Sequence, residues 1–418
     1  MAEVGQKIIV MDNGSGITKV GFAGDNKPSA VFPGVVGHPF RKGVMLGARN
    51  QDEYVGYEAQ RRRSVLSLKH PIERGVVTCW EGLRLLWHHC FYTVLRAAPE
   101  EHKLLITEVP FNPPNNRERM AEILFEEFEV PTLCITIPAH LALFASGPTS
   151  GLVVDSGDSV THAVAVCGGR VESPTIFRMN VGGQDLSERL GSLVLARHGR
   201  SLVGTASERS ALCAMKERLC FVSRDLASDK MAGAALEHSH EMPDGTYINI
   251  GVERFMCPEA LFQPGVLGPS SPSLQQAIVT CIEKSDTQMQ ETLYNNIILA
   301  GGNTLFPGLA ERLKLEVARI APQQYSVKVL APAERKYAAW LGGSVFACLP
   351  MFPKACVTRS RYDECGPRIM HHTSIPQKDD RLRSQHQAER VQYIGVKKMP
   401  PIWRLMLHSM VINKASIS

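Results

Sequence analysis

Short apolar runs rich in Ile and Val punctuate this chain, and three of them end in glycine-bearing turns. They are Lys7–Met11 before Asp12-Asn13-Gly14-Ser15-Gly16, Gly151–Val154 before Asp155-Ser156-Gly157-Asp158-Ser159, and Asn296–Ala300 before Gly301-Gly302-Asn303-Thr304. Each reads as a buried strand that delivers a loop to a site. The first two share a plan: a β run, an Asp, then small residues that permit close backbone approach. A doubled element of this kind predicts two related lobes facing one ligand.

Helical patterns lie between the strands. In Glu81–Leu95, the residues Leu83, Leu86, Trp87, Cys90, Phe91 and Val94 follow an i, i+3, i+4, i+7 spacing and predict one buried face. In Asn116–Phe128, Asn116 is positioned to cap the start, and Met120, Ile123, Leu124 and Phe128 form the apolar stripe. Strands alternating with helices predict an α/β fold with layered sheets. Gly34–Lys69, with five glycines and the charged run Arg61–Arg63, reads as a small, mobile, exposed subdomain or simply as a solvated surface insert. From Lys378 onward no periodicity is sustained; residues 378–418 read as a basic disordered extension, although Ile402–Ile412 is apolar enough for a short docking helix.

At 418 residues, 44% of them apolar, the chain can bury sizeable cores, which argues against a disordered or fibrous protein. No apolar run approaches the roughly 20 residues that span a bilayer. The start MAEVGQKIIV lacks the pattern of a signal peptide. The eleven cysteines show no CxxC pair or zinc-ligand spacing and read as reduced, mostly buried thiols. The net charge of +5 is carried entirely by residues 378–418, where eight Lys/Arg face three acids. The body is therefore near neutral, and no nucleic-acid partner is expected.

The chemistry gathers in the glycine turns. In Asp12-Asn13-Gly14-Ser15-Gly16 followed by Lys19, small residues let backbone N–H groups face phosphate oxygens and the lysine adds a compact positive charge. It is not a Walker loop, and a Gly-Ser-Gly turn alone is more often a hairpin. The segment Asp155–His162 repeats the logic with more carboxylate. Two such cradles suit a nucleotide whose phosphates chelate Mg²⁺ or Ca²⁺, with Asp12 and Asp155 holding the water shell of the ion. The third turn, with Leu305 and Phe306, suits a purine and ribose. Lys216-Glu217 and Arg335-Lys336-Tyr337 are candidates to close over base and sugar, although alone they read as solvated charge.

Seven ordered segments together resemble the actin family: DNGSG–K–GFAGD (12–25), PIE–G–V (71–76), ASG–T–G–V–DSGD–VTH (145–162), PDG–IG–ERF (243–255), CPEALFQP (257–264), AGGNT–PG (300–308) and AERKYAAW–GGS (333–344). The resemblance runs from about residue 7 to about residue 372 and implies an actin-like ATPase superfold of two lobed α/β halves around a nucleotide cleft. It implies subdomains at 1–33 with 71–145 and 339–377, at 34–70, at 146–181 with 271–338, and at 182–270. It further implies ATP or ADP with a divalent ion, assembly with actin or actin-binding proteins by self-assembly or copolymerisation, and a place in the cytoplasm and cytoskeleton, with the nucleus as the alternative. The phosphate contacts carried over are Gly14, Ser15, Gly16, Lys19, Asp158, Ser159 and Val160. The nucleoside contacts are Gly183, Lys216, Glu217, Gly302, Asn303, Leu305, Phe306 and Lys336.

Departures from the family pattern sharpen the expectation. Pro138 stands where the family has a water-orienting glutamine, and its ring neither donates nor accepts that hydrogen bond. Hydrolysis is expected to be slow or absent, with His162 as the remaining weak catalytic candidate, and hinge movement is expected to stiffen. Ser159 replaces a family glycine, which is costly only if φ there is positive. The acidic N-terminal run is missing, the plug region GVLGPSSPS (265–273) has lost its large aromatic, and the usual C-terminus is replaced, whereas the loop 41–47 keeps the family outline. A specialised structural or filament-associated component that hydrolyses ATP poorly is therefore expected. The alternatives are a conventional self-polymerising ATPase, a sugar or acetate kinase of the same superfold, and a chaperone ATPase lobe, the last two lacking a visible sugar site or substrate domain.

Overall fold

The computed structural model describes residues 7–40, 53–268 and 272–372. The loop 41–47, the centre of the plug region, the N-terminal residues 1–6 and the tail 378–418 lie outside the described residues. The chain divides into two compact units, one drawn from residues 1–149, 168–170 and 337–418, the other from 150–167 and 171–336.

The first unit is built on a six-stranded mixed sheet in the order Val357–Thr358, Thr132–Thr136, Lys103–Thr107, Ile8–Asn13, Ile17–Phe22, Ala30–Pro33. Ile8–Asn13 pairs parallel with Lys103–Thr107 and antiparallel with Ile17–Phe22. Because side chains alternate across a strand, Ile9, Met11, Leu104, Ile106 and Leu133 enter one core, whereas Val10, Leu105 and Cys134 enter another on the opposite face. A sheet buried on both faces explains why these strands read as unbroken apolar runs.

The first core is closed by a helix over Trp80–His88 that continues as a π turn over His89–Leu95, and by Pro114–Glu122 continuing as a π turn over Ile123–Glu127. The stretch expected to be helical, Glu81–Leu95, is helical throughout, α as far as His88 and π beyond it. Leu83, Leu86, Trp87, Cys90 and Phe91 are buried, and Val94 packs partly exposed against them. Asn116 does not cap its helix. Pro113 and Pro114 fix the start two residues earlier, where a ring without an N–H costs nothing, and the Asn116 amide instead donates to the Val77 carbonyl at 3.4 Å.

The opposite core is closed by Pro138–Ser146 and Ala338–Ala347, which touch through glycine. A Cβ at Gly342 would overlap the Leu141 carbonyl oxygen, and one at Gly343 would lie 2.8 Å from Val10 Cγ1. Trp340 is fully buried here and donates to the Val10 carbonyl at 3.0 Å. Within Gly34–Lys69, strands Val36–Pro39, Tyr54–Val55 and Leu66–Lys69 form a small sheet whose own core is Val35, Tyr54, Ala59 and Leu66. The described part of this segment is a packed module rather than a merely solvated insert.

The second unit repeats the first plan. Its five-stranded sheet runs Arg170–Met179, Thr161–Cys167, Gly151–Ser156, Ile297–Ala300, Val329–Leu330. Gly151–Ser156 and Thr161–Cys167 form an antiparallel hairpin, and Gly151–Ser156 pairs parallel with Ile297–Ala300. Helices Gly183–His198, Ala206–Leu219, Leu274–Glu283 and Leu309–Ile320 carry Leu190, Leu212, Ile278 and Leu313 onto one contiguous core. Among the described residues no helix is long and apolar enough to cross a membrane.

Candidate functional site

The first loop is the tip of the Ile8–Asn13/Ile17–Phe22 hairpin, closed by Gly14 N–H donating to the Ile17 carbonyl at 3.1 Å. A Cβ at Gly14 would lie 2.8 Å from that same oxygen, so the turn requires glycine. The hairpin register sets Asp12 opposite Lys19. Lys19 Nζ donates to Asp12 Oδ2 at 2.5 Å, and Thr107 Oγ1 donates to Asp12 Oδ1 at 2.8 Å. All three are buried, and Thr107 also accepts from the Asn13 N–H at 3.2 Å. The Asp12 carboxylate is thus held rigidly, facing a lysine rather than standing open. Ser15 Oγ accepts from Gly75 N–H at 3.0 Å. No hydrogen bond among the described residues takes the Ser15 or Gly16 N–H, which leaves two backbone donors at the loop tip suited to an oxyanion.

In the second unit the loop between Ser156 and Thr161 meets the start of the Gly183–His198 helix. Gly183 N–H donates to the Gly157 carbonyl at 3.0 Å and Gln184 N–H to the Asp158 carbonyl at 2.7 Å, while Gln184 Nε2 donates to Asp158 Oδ2 at 2.7 Å. Asp185 Oδ2, at the third position of the helix, accepts from the N–H of the cap residue Gly182 at 2.7 Å. Ser159 and Val160 are buried, and Ser159 is absent from the described non-glycine residues with positive φ, so the serine carries no left-handed strain. Lys216 is buried and donates to the Gly183 carbonyl at 2.7 Å and to Ser187 Oγ at 3.0 Å. A Cβ at Gly183 would lie 3.3 Å from Lys216 Nζ and 3.5 Å from Asp158 Oδ1, so the structure brings Asp158, Gly183 and Lys216 together.

The third turn closes against the second. Gly301 adopts φ +86°, and its Cα faces the Ser156 carbonyl and the Asp155 carboxylate so closely that any side chain would collide with them. Asn303 Nδ2 donates to Ser156 Oγ at 3.0 Å, Ser156 Oγ pairs with Thr161 Oγ1 at 2.7 Å, and Thr161 Oγ1 donates to the Val181 carbonyl at 2.7 Å. Asn303 Oδ1 is buried with no partner among the described residues. Gly302 lies beside the Lys336 stem, Phe306 is buried, and Leu305 and Glu217 are exposed.

Pro138 occupies the first position of its helix, where its missing N–H is unneeded, and Ile137 before it is extended, as proline demands. A proline therefore costs the fold nothing at this position, and its ring offers no hydrogen-bonding atom. His162 sits in the second hairpin opposite Asp155, buried, with Nε2 unpartnered among the described residues. Burial, helped by the Arg178 charge, pushes its pKa down to about 3, so the imidazole is neutral at neutral pH.

Thr107, Gly182, Gln184 and Ser187 escaped the sequence reading. Thr107, Gln184 and Ser187 act through partners far away in sequence, and Gly182 through nearby Asp185; only the Gly182-Gly183 doublet offered a signal, as a site of close backbone approach. No cluster of three or more His, Cys, Asp or Glu side chains that could hold a metal is found among the described residues. Within each unit, a glycine-lined turn and a buried lysine suit contact with a phosphate. Residues 4–374 match the family model described as actin.

Proposed function

We propose, from the premise that this chain belongs to the actin family, that it is a nucleotide-holding structural or filament-associated component that hydrolyses ATP slowly or not at all. In this reading Gly14, Ser15, Gly16 and Lys19 on the first unit, and Asp158, Ser159 and Val160 on the second, receive the phosphates. Gly183, Lys216, Glu217, Gly302, Asn303, Leu305, Phe306 and Lys336 receive the nucleoside, and Asp12 and Asp155 hold Mg²⁺ or Ca²⁺ through water. The four-subdomain division and the cytoskeletal setting with actin or actin-binding partners belong to the same proposal.

The observation that carries the reading is the contrast between two parts. The loop chemistry is built in full: Lys19–Asp12–Thr107 is buried and bonded, and Lys216 is fixed on Gly183 and Ser187. The residue at the family's water-orienting position, Pro138, offers no polar atom. Binding is thereby separated from turnover, and the nucleotide serves as a structural ligand.

The test measures nucleotide occupancy and phosphate release on one purified sample, followed by pelleting after addition of salt, Mg²⁺ and ATP. Stoichiometric ATP with little phosphate release is expected. Empty protein would refute the binding half, rapid release the silent-site half, and robust self-pelleting would favour a conventional self-polymerising member.

A further inference from the structure

Behind the first loop lies a small, partly open pocket of about 20 Å³ lined by Asn13, Gly75, Thr107, Glu108, Asn112 and apolar side chains including Val109 and Met120. It is large enough for one water molecule, which needs roughly 10–15 Å³. Three polar atoms among its lining residues are buried with no hydrogen-bond partner: Asn13 Oδ1, Asn13 Nδ2 and Asn112 Oδ1. The remaining polar groups are already committed. Asn112 Nδ2 donates to Glu108 Oε2 at 2.9 Å, and Thr107 Oγ1 is shared between Asp12 and the Asn13 N–H.

We propose that this cavity is a built water site, holding one long-lived water that accepts from the Asn13 amide and donates to Asn112 Oδ1. Buried amides left dry lose their hydration without return, whereas one water with two to four polar partners restores it. The water completes a chain of hydrogen bonds running Asp12, Thr107, Asn13, water, Asn112, Glu108. Gly75 lines the same cavity and donates to Ser15, so the site sits directly under the first loop and fixes the Asn13 side chain from behind. It is a positioning site within one unit and stands independently of what the loop binds.

A high-resolution X-ray structure of the intact protein is expected to show a density peak within hydrogen-bond distance of both Asn13 and Asn112; an empty cavity would overturn the proposal. Asn13→Leu supplies a second reading, since the Asn13 side chain makes no direct protein hydrogen bond. A dry cavity predicts a melting temperature equal to or above wild type, because two orphan atoms are removed. The bound water predicts a fall of several degrees, because the water loses its anchor at Asn13 and Asn112 Oδ1 loses its partner. Should Asn13→Leu not fold, Val109→Ile extends an apolar wall residue into the cavity: a lower melting point with the peak gone supports the water, and an unchanged or higher one refutes it.

Discussion

The Ser159 backbone passes so close to Gly182 that a Cβ added at Gly182 would lie 2.6 Å from the Ser159 nitrogen and Cα. The contact decides which of the two residues is replaceable. Gly182→Ala must push the loop away or bend the helix start, at a cost of about 1–3 kcal/mol for overpacking. Ser159→Gly relieves no strain and loses about 0.5–1 kcal/mol through the extra freedom of the unfolded chain. Chemical denaturation of both variants should therefore rank Gly182→Ala as the more damaging, and the reverse order would mean that Ser159 is strained.

Pro138 gives a prediction in which stability and activity move in opposite directions. At the first helical position proline restricts the unfolded chain without losing a hydrogen bond, so Pro138→Gln should cost about 0.4–1 kcal/mol. The same change restores an amide donor and acceptor, and phosphate release should rise if the rest of the site is intact. Lower stability without faster release, with ATP bound normally, would place the silencing elsewhere.

Strand positions were legible because strands buried on both faces leave unbroken apolar runs: the three runs became Ile8–Asn13, Gly151–Ser156 and Ile297–Ala300. The π turns at His89–Leu95 and Ile123–Glu127 were not legible, since the same side chains stay buried when the helix loosens by one residue per turn. Asn116 misled because a good cap residue was outcompeted by two prolines just before it. The glycine turns suggested a phosphate site, but the pairing of Asp12 with Lys19 and its hydrogen bond from Thr107 follow from hairpin register and a parallel neighbour about which local sequence says nothing.

Two buried imidazoles, His140 and His162, have pKa values lowered by burial and so oppose folding in acid. His140 is packed edge-on to Phe144 and Phe346, with Nε2 unpartnered among the described residues, and burial lowers its pKa to about 4. The unfolded chain, with a pKa near 6.5, binds the proton first, so stability rises with pH between the two values. It is complete above about pH 6.5 and falls as pH drops toward 4, by roughly 3 kcal/mol for His140 alone. His140→Leu removes the orphan nitrogen and should flatten the pH dependence of the melting temperature in that window; an unchanged slope would assign the dependence to His162 and the carboxylates.

Thiol accessibility provides a check on both cores at once. Cys348 and Cys365 are exposed, Cys79, Cys167 and Cys213 are partly buried, and the other six are buried. Although Cys348 is exposed as a residue, partial cover of its sulfur and the nearby Asp25 raise its pKa, so it should label more slowly than its exposure suggests. Among the buried thiols, Cys134 is raised by its hydrogen bond to Cys356 and by burial, and Cys220 by its hydrogen bond to Cys257 and by burial. A thiol needs both access and ionisation to react, so these pairs should stay silent toward a disulfide reagent at pH 8 until the protein unfolds. Time-resolved labelling followed by peptide mapping should give Cys365, then Cys348, then the partly buried group, with the last six released together at the unfolding transition. Early labelling of Cys134 or Cys356 would mean that the core beneath Trp340 opens while the rest of the first unit stays folded.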